Sequence, residues 1–403
     1  MKQKVYQETM EAHAFLDGNI VRDFREAINS SRIFNNLDKH KHRYNLICAV
    51  MDRIDSSIKY LNEHSYHPQT EDDFVCFLVY SCILKDAIYK LYENVFHETP
   101  PLRSEKKYFT NAAHYFAPVF NNDTCPSDDV FFEYLRSVCF AHPFETGYRQ
   151  RPFLEVGEKQ CSPWVIVKSL FSNFDTNDVV GVRIYSNVQE RDMYDIQISF
   201  NAIKKYIQSR YSCLIELTEW AKREVVDQNE YWKLTKVSKS EDPIETISSI
   251  KEVLHSRFEE TYSLDIAEKY LKCELTCESN IGNVSKFRNA IVSVLPSVCD
   301  CVDKLDYEKM EDILDILYIR PKNMHEYAHY QLEKIFSYLD KRSKNIELES
   351  NEAWGLIQAH EFSQEFAKKW VKIDVKTMSY DEIHLLVSTA CYLEAKEQER
   401  NNK

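Results

Sequence analysis

The sequence predicts a mainly helical protein. Only 6 of its 403 residues are glycine and 11 are proline, so turns are few and the regular elements are long. Most of the chain divides into stretches of helical length, and a single region has the alternation typical of a β-hairpin. A chain of 403 residues can bury a sizeable core, and we expect two domains, over residues 1–236 and 244–403.

Three helices are predicted in the first hundred residues, over 1–31, over 38–65 and from Thr70 to about His97. Thr70 is the predicted cap of the third helix, because acidic residues follow it directly. Apolar residues of the third helix recur at steps of three and four, so one full face of it is expected to be core. These core positions are Phe77, Tyr80, Leu84, Ile88, Leu91 and Val95.

A fourth helix, which Ser127 can cap, carries the most informative residues of the chain. It is almost wholly apolar, yet it contains Arg136 and brings His142 to its last turn. Burying a guanidinium among aromatic rings is costly unless an anion meets it. Pro143 disfavours the helical conformation at His142, so the imidazole is expected at the end of the helix. Arginine can hold a phosphate, and histidine can exchange a proton near neutral pH.

The remainder of the chain is predicted to be one β-hairpin followed by helices. Residues 179–186 and 193–200 flank a polar turn and have the composition of paired strands. A long helix over about 201–226 follows, and the polar segment 237–243 is the expected linker. Beyond it we expect only helices and find no sequence repeat. The predicted fold is therefore an antiparallel helical bundle with a β-hairpin insertion, plus an all-helical C-terminal domain.

Three antiparallel helices followed by a fourth that carries Arg136, Ser137 and His142 resemble the HEPN superfamily. HEPN domains are bundles of four or five helices, and many are metal-independent ribonucleases. Their signature is an arginine, usually followed by a polar residue, with a histidine about five to seven positions on. The resemblance covers roughly residues 38–145, with the hairpin and the helix to 235 as an elaboration. The family prefers Asn, Asp or His where this chain has Ser137, whose hydroxyl can still donate to a phosphate oxygen.

The resemblance implies a metal-independent endoribonuclease without a cofactor, of the kind used in bacterial defence or toxin systems. The 2′-hydroxyl of RNA would attack its own phosphate, with His142 as general acid or base and Arg136 stabilising the developing charge. HEPN nucleases act as homodimers whose two motifs line one cleft, and an activator or inhibitor protein is a further possible partner. The alternative is a noncatalytic HEPN-like module that binds a partner or nucleotide, in which Arg136 pairs with a carboxylate such as Glu133.

A partly basic stretch after Pro143 supplies candidate RNA-binding residues. Basic and aromatic side chains alternate there, as in grooves that grip and stack single-stranded RNA. Acidic neighbours dilute the charge, so a solvated loop that packs its aromatics onto the bundle is the other interpretation. The substrate-binding candidates are Arg149, Arg151 and Lys159.

A second motif, His325-Glu326-Tyr327-Ala328-His329, matches the zinc-peptidase pattern H-E-x-x-H. Histidines four apart on a helix project together, and the glutamate between them can activate zinc-bound water. No third ligand stands out, and the surroundings predict no strand to lie beside a substrate. The helical spacing also continues to Leu332 and Phe336, so both histidines can edge a core face. We expect no metal, with His325 and His329 as the alternative site.

Composition limits the remaining classes of function. The net charge of −13 counts against a chain coated with nucleic acid and is compatible with a local grip on RNA. Twelve cysteines without zinc-finger spacing, and no predicted signal peptide, favour reduced thiols and a cytoplasmic protein. No apolar run reaches membrane-spanning length, so no membrane partner is expected. No glycine-rich phosphate loop occurs.

Overall fold

The computed structural model is mainly helical with a small antiparallel sheet, as the sequence predicts. It divides into two compact units, Met1–Val226 and Asp227–Lys403, so the division falls within a helix and not at the polar segment 237–243. None of the described helices has both the length and the apolar character needed to cross a membrane. The residues described are 14–110, 112, 125–147, 154–167, 178–188, 193–322, 324–340 and 348–401.

The helices of the first unit include a long pair that packs side by side and matches the predicted second and third helices. The first helix begins at Gly18, where the Asp17 side chain caps its first turn, and the predicted residues 1–13 lie outside the described part. The last helix continues beyond the end of the unit. In chain order the helices are α1 (Gly18–Asn29), α2 (Ile33–Asn36), α3 (Asp38–Glu63), α4 (Glu71–Phe96), α5 (Asp128–Arg136), α6 (Phe200–Tyr211) and α7 (Cys213–Lys233).

Helix α4 begins with the cap that the sequence predicts. The Asp73 backbone N–H donates to the Thr70 hydroxyl at 3.1 Å, and the Thr70 N–H donates to the Asp73 carboxylate at 3.0 Å. These two bonds satisfy backbone donors that the first turn leaves without helical partners. The helix ends at Phe96, and His97 adopts a left-handed conformation with φ of 57°. Both ends therefore lie within two residues of the predicted positions.

One face of α4 is core, as its periodicity predicts. Tyr80 is half-buried and stacks on Tyr60 with the ring centroids 4.0 Å apart. The buried face also contains a charged residue, Lys85, which is only 4% exposed. The other predicted core positions, Phe77, Leu84, Ile88, Leu91 and Val95, are all buried.

The sheet is larger than the predicted hairpin. The hairpin itself is confirmed, with antiparallel pairing from Val179↔Ser199 to Tyr185↔Met193. Three further short strands belong to the same sheet. They come from the stretch after Pro143, for which the sequence predicts no regular element, and two of them pair with the first hairpin strand. Strands of two or three residues are too short for a period of two to be detected. The strands are β1 (Thr146–Gly147), β2 (Lys159–Cys161), β3 (Val165–Ile166), β4 (Val179–Ser186) and β5 (Met193–Ser199).

The second unit is helical throughout its described residues, as predicted. Its first complete helix begins at Pro243, and the Asp242 side chain accepts a hydrogen bond from the Ile244 N–H at 2.8 Å. Proline is favourable at this position, because a backbone N–H in the first turn would have no helical partner and proline has no N–H to leave unpaired. The helices are α8 (Pro243–Ser256), α9 (Tyr262–Lys272), α10 (Ile281–Lys304), α11 (Tyr307–Leu314), α12 (Ala328–Tyr338), α13 (Leu348–Glu365) and α14 (Tyr380–Asn401).

Candidate functional site

Helix α5, which carries the motif, is held rigidly in the first unit. Near its start, Asp129 accepts hydrogen bonds from the Arg210 guanidinium at 2.8 and 3.0 Å, and Arg210 is only 1% exposed. Near its end, the Tyr134 hydroxyl donates to the Gln160 side chain on β2 at 2.6 Å. Both anchors are buried, where hydrogen bonds with complete partners favour one unique arrangement. The position of the last turn of α5 is therefore well defined.

Arg136 lies at the edge of the core, with 42% of its side chain exposed. Its Nη1 donates to Glu133 Oε2 at 3.1 Å, one turn earlier on the same helix. This is the carboxylate partner that the noncatalytic interpretation expected. An arginine side chain has five N–H donors, and within the described residues this is the only side-chain hydrogen bond of Arg136. The guanidinium is therefore paired with Glu133, and its other N–H groups are available to a ligand.

Glu133 is shared between two cations. Its Oε1 contacts Nζ of Lys85, a buried lysine on α4 that also lies 3.3 Å from Asp86 Oδ1. Burial by itself would raise the pKa of Glu133, but Lys85 and Arg136 outweigh burial and hold the pKa below its ordinary value. The carboxylate is therefore charged at neutral pH. It fixes the guanidinium of Arg136 relative to the core of the bundle.

Between Arg136 and His142 the helix widens into a π turn, Ser137–Ala141. The backbone N–H of His142 donates to the carbonyl of Ser137 at 2.8 Å, a bond that spans five residues. His142 itself is exposed and has φ of −144° and ψ of 54°, which lies outside the helical region. The prediction that His142 lies outside the helical conformation is thus confirmed. The reason is that a proline disfavours this conformation in the residue before it.

Ser137 points into the protein and not toward solvent. It is 3% exposed, and its hydroxyl lies 3.0 Å from the hydroxyl of Thr146 on β1. Thr146 in turn donates to the carbonyl of His142 at 2.9 Å. This chain of hydrogen bonds joins the start of the π turn to its end. Ser137 therefore stabilises the turn, and its hydroxyl is not presented to a ligand at the surface.

A groove between α3 and α4 reaches Arg136. Its volume is about 510 Å³, and its charged lining residues are Arg53, Asp86, Lys90 and Arg136. Phe140, in the π turn, also lines it, whereas His142 does not belong to its described lining. The other lining residues are apolar or small: Leu46, Ala49, Val50, Val79, Cys82, Ile83 and Ala87.

The predicted RNA-binding residues are only partly described. Lys159 lies at the start of β2 with 64% of its side chain exposed, and its Nζ is 2.5 Å from the Glu145 carboxylate. An ion pair this exposed is weak, and the Glu145 carboxylate offsets the positive charge of Lys159. Arg149 and Arg151 lie outside the described residues. Lys159 does not belong to the described lining of the groove that Arg136 lines.

The zinc motif is not arranged as its spacing requires. Helix α12 begins at Ala328, so His325 precedes the helix and does not share a helical face with His329. His325 Nε2 lies 3.6 Å from Glu365, which is too long for a hydrogen bond. Within the described ranges, no three His, Cys, Asp or Glu side chains are grouped so that they could hold a metal ion.

Three features of this region were missed by the sequence analysis: the Lys85–Glu133 pair, the Thr146 contact and the groove. A lysine on the apolar face of α4, between Leu84 and Ile88, was a signal that a carboxylate would face it. The other two depend on contacts between distant parts of the chain. No family model, curated protein or solved structure matches this chain.

Proposed function

We propose that this chain is a metal-independent endoribonuclease in which Arg136 and His142 act on a phosphodiester. The observation that carries the proposal is the π turn between these two residues. Turns of this kind are rare and occur frequently at functional sites. Here the turn separates a guanidinium at the edge of an apolar groove from an imidazole exposed to solvent. An HEPN-type arrangement of the bundle is part of the same proposal.

Arg136 would bind the phosphate through the donors that Glu133 leaves free. Because Glu133 also contacts Lys85, the guanidinium is fixed before a substrate arrives. Donors that are fixed in advance stabilise charge at the transition state most effectively.

His142 would take the proton of the 2′-hydroxyl while O2′ forms a bond to phosphorus. The bond from phosphorus to O5′ then breaks, and O5′ receives a proton. The products are a 2′,3′-cyclic phosphate and a 5′-hydroxyl. Both proton transfers are general acid–base steps. A homodimer would supply the second imidazole, so one His142 would accept a proton while the other donates one.

A noncatalytic interaction module is the second candidate, and the Arg136–Glu133 ion pair favours it. A guanidinium that only stabilises its own helix would make the same contact at 3.1 Å. A buried Ser137 hydroxyl is equally compatible with a purely structural turn. The role in bacterial defence or a toxin system is proposed on the resemblance alone.

The test is cleavage of a labelled single-stranded RNA in EDTA, with DNA of the same sequence as a parallel substrate. We expect RNA to be cut to products with 5′-hydroxyl ends and DNA to remain intact. His142→Ala should lower the rate by at least about 100-fold. The matched control is His42→Ala, which removes an exposed histidine from α3. Cleavage by His142→Ala at the wild-type rate would remove His142 from the mechanism, and no cleavage by any form would favour the noncatalytic module.

A further inference from the structure

The groove between α3 and α4 has the properties of a binding site. Its volume of about 510 Å³ lies within the range of small-ligand pockets, which is roughly 300–1,000 Å³. Like those pockets, it is lined mainly by apolar side chains with a few charged groups. Residues from both helices and from the π turn contribute, so one continuous surface extends to Arg136.

The charges of the groove favour an anion. Three cations, Arg53, Lys90 and Arg136, line it together with a single carboxylate, Asp86. Arg53 and Lys90 are exposed, and neither has an ion-pair partner among the residues that the structure describes. The whole chain, by contrast, carries a net charge of −13. A local excess of positive charge on an acidic protein attracts an anionic ligand to that place.

We infer that the groove binds the nucleotides of single-stranded RNA that adjoin the phosphate held by Arg136. The inference rests on the proposed function for its substrate. Arg53 and Lys90 would contact the neighbouring phosphates, and bases would lie on the apolar lining. Phe140 supplies an aromatic ring beside Arg136 on which a base can stack. Only an unpaired base can reach such a surface, which selects a single strand over a duplex.

This places substrate recognition on the α3–α4 groove and not at Lys159. The Lys159 side chain is already paired with Glu145, and it does not line the groove. Arg53 and Lys90, in contrast, lie on the same surface as Arg136. A strand that reaches Arg136 along the groove would therefore pass both cations.

Two substitutions of equal size in the groove separate the effect of charge from the effect of shape. Ala49 is an exposed lining residue of α3, so Ala49→Glu and Ala49→Gln introduce side chains of equal size that differ in charge. Both are combined with His142→Ala, so that the RNA stays intact. The probe is a fluorescein-labelled oligouridylate of about ten nucleotides, within the site sizes of single-strand grooves. Its affinity is measured by fluorescence anisotropy at several salt concentrations.

We expect Ala49→Glu to bind the probe about fivefold or more weakly than Ala49→Gln. Arg53→Gln and Lys90→Gln should each weaken binding and reduce the slope of log K against log salt by about 0.7, the value for one phosphate contact on a single strand. Exposed cations outside the groove, replaced in Arg223→Gln and Lys59→Gln, serve as controls and should leave affinity unchanged.

Equal affinities for Ala49→Glu and Ala49→Gln, with the salt slope unchanged in Arg53→Gln and Lys90→Gln, would overturn the inference. A groove that instead receives an acidic helix of a protein partner would give this result. If the wild-type chain cleaves RNA while these variants bind normally, the inference fails and the nuclease proposal stands. If no RNA is cleaved but binding depends on Arg53 and Lys90, the inference stands and the nuclease proposal fails.

Discussion

Lys85, buried on α4, contacts the carboxylate oxygen of Glu133 that Arg136 does not use. The two partners are 48 residues apart in sequence, so this ion pair joins α5 to α4. A buried ammonium is costly unless an opposite charge meets it, and Glu133 is its main partner. Glu133 therefore has two roles: it compensates the charge of Lys85 and it fixes the guanidinium of Arg136.

Replacing Glu133 by glutamine should destabilise the fold, because Lys85 would remain buried with only Asp86 beside it. Breaking a fully buried pair costs about 3–5 kcal/mol. Because the Glu133 side chain is 39% exposed, we expect about 2 kcal/mol, measured as the free energy of unfolding in urea. The control is Glu145→Gln, which removes an exposed partner of Lys159 and should cost less than about 1 kcal/mol. Equal losses for the two variants would contradict a structural role for Glu133.

The stabilisation by Glu133 should depend on pH. Its pKa is lower in the folded protein than in the unfolded chain, because the effects of Lys85 and Arg136 outweigh that of burial. The contribution is therefore complete above the unfolded pKa, about 4.3, and is lost as pH falls through the lower folded value. The measurement is the difference in unfolding free energy between wild type and Glu133→Gln, followed from about pH 7 downward. A difference that grows at acid pH would refute this sign.

Arg136→Lys separates the structural interpretation of Arg136 from the catalytic one. Lysine keeps the positive charge and can still pair with Glu133, so the free energy of unfolding should stay within about 0.5 kcal/mol of wild type. It lacks the planar fork of donors that binds a phosphate through two parallel hydrogen bonds. RNA cleavage, followed as the initial rate in EDTA, should fall about 100-fold. Wild-type cleavage by a stable Arg136→Lys protein would remove the guanidinium from the mechanism.

The local features of the fold were predictable from sequence. The Thr70 cap, the core face of α4 and the β4–β5 hairpin depend on residues a few positions apart, and all three were found as expected. The non-helical conformation of His142 follows from its proline neighbour in the same way.

Features that depend on distant contacts were not predictable. Thr146 bridges the two ends of the π turn through hydrogen bonds with Ser137 and His142, and a sequence pattern does not indicate such bonding. Strands as short as β1 have no measurable period. The groove exists only once α3 and α4 are paired. The zinc motif has the spacing of a helical site, but α12 begins only at Ala328 and leaves His325 outside the helix. Helix boundaries are the least reliable part of a sequence prediction.

Thr146 belongs both to the two-residue strand β1 and to the hydrogen bonds that close the turn before His142. Fraying of that strand removes the hydroxyl that bridges the two ends of the turn. Thr146 thus links the sheet margin to the end of α5, and we expect loss of the strand pairing to loosen both. The backbone position of His142 therefore depends in part on the pairing of a two-residue strand.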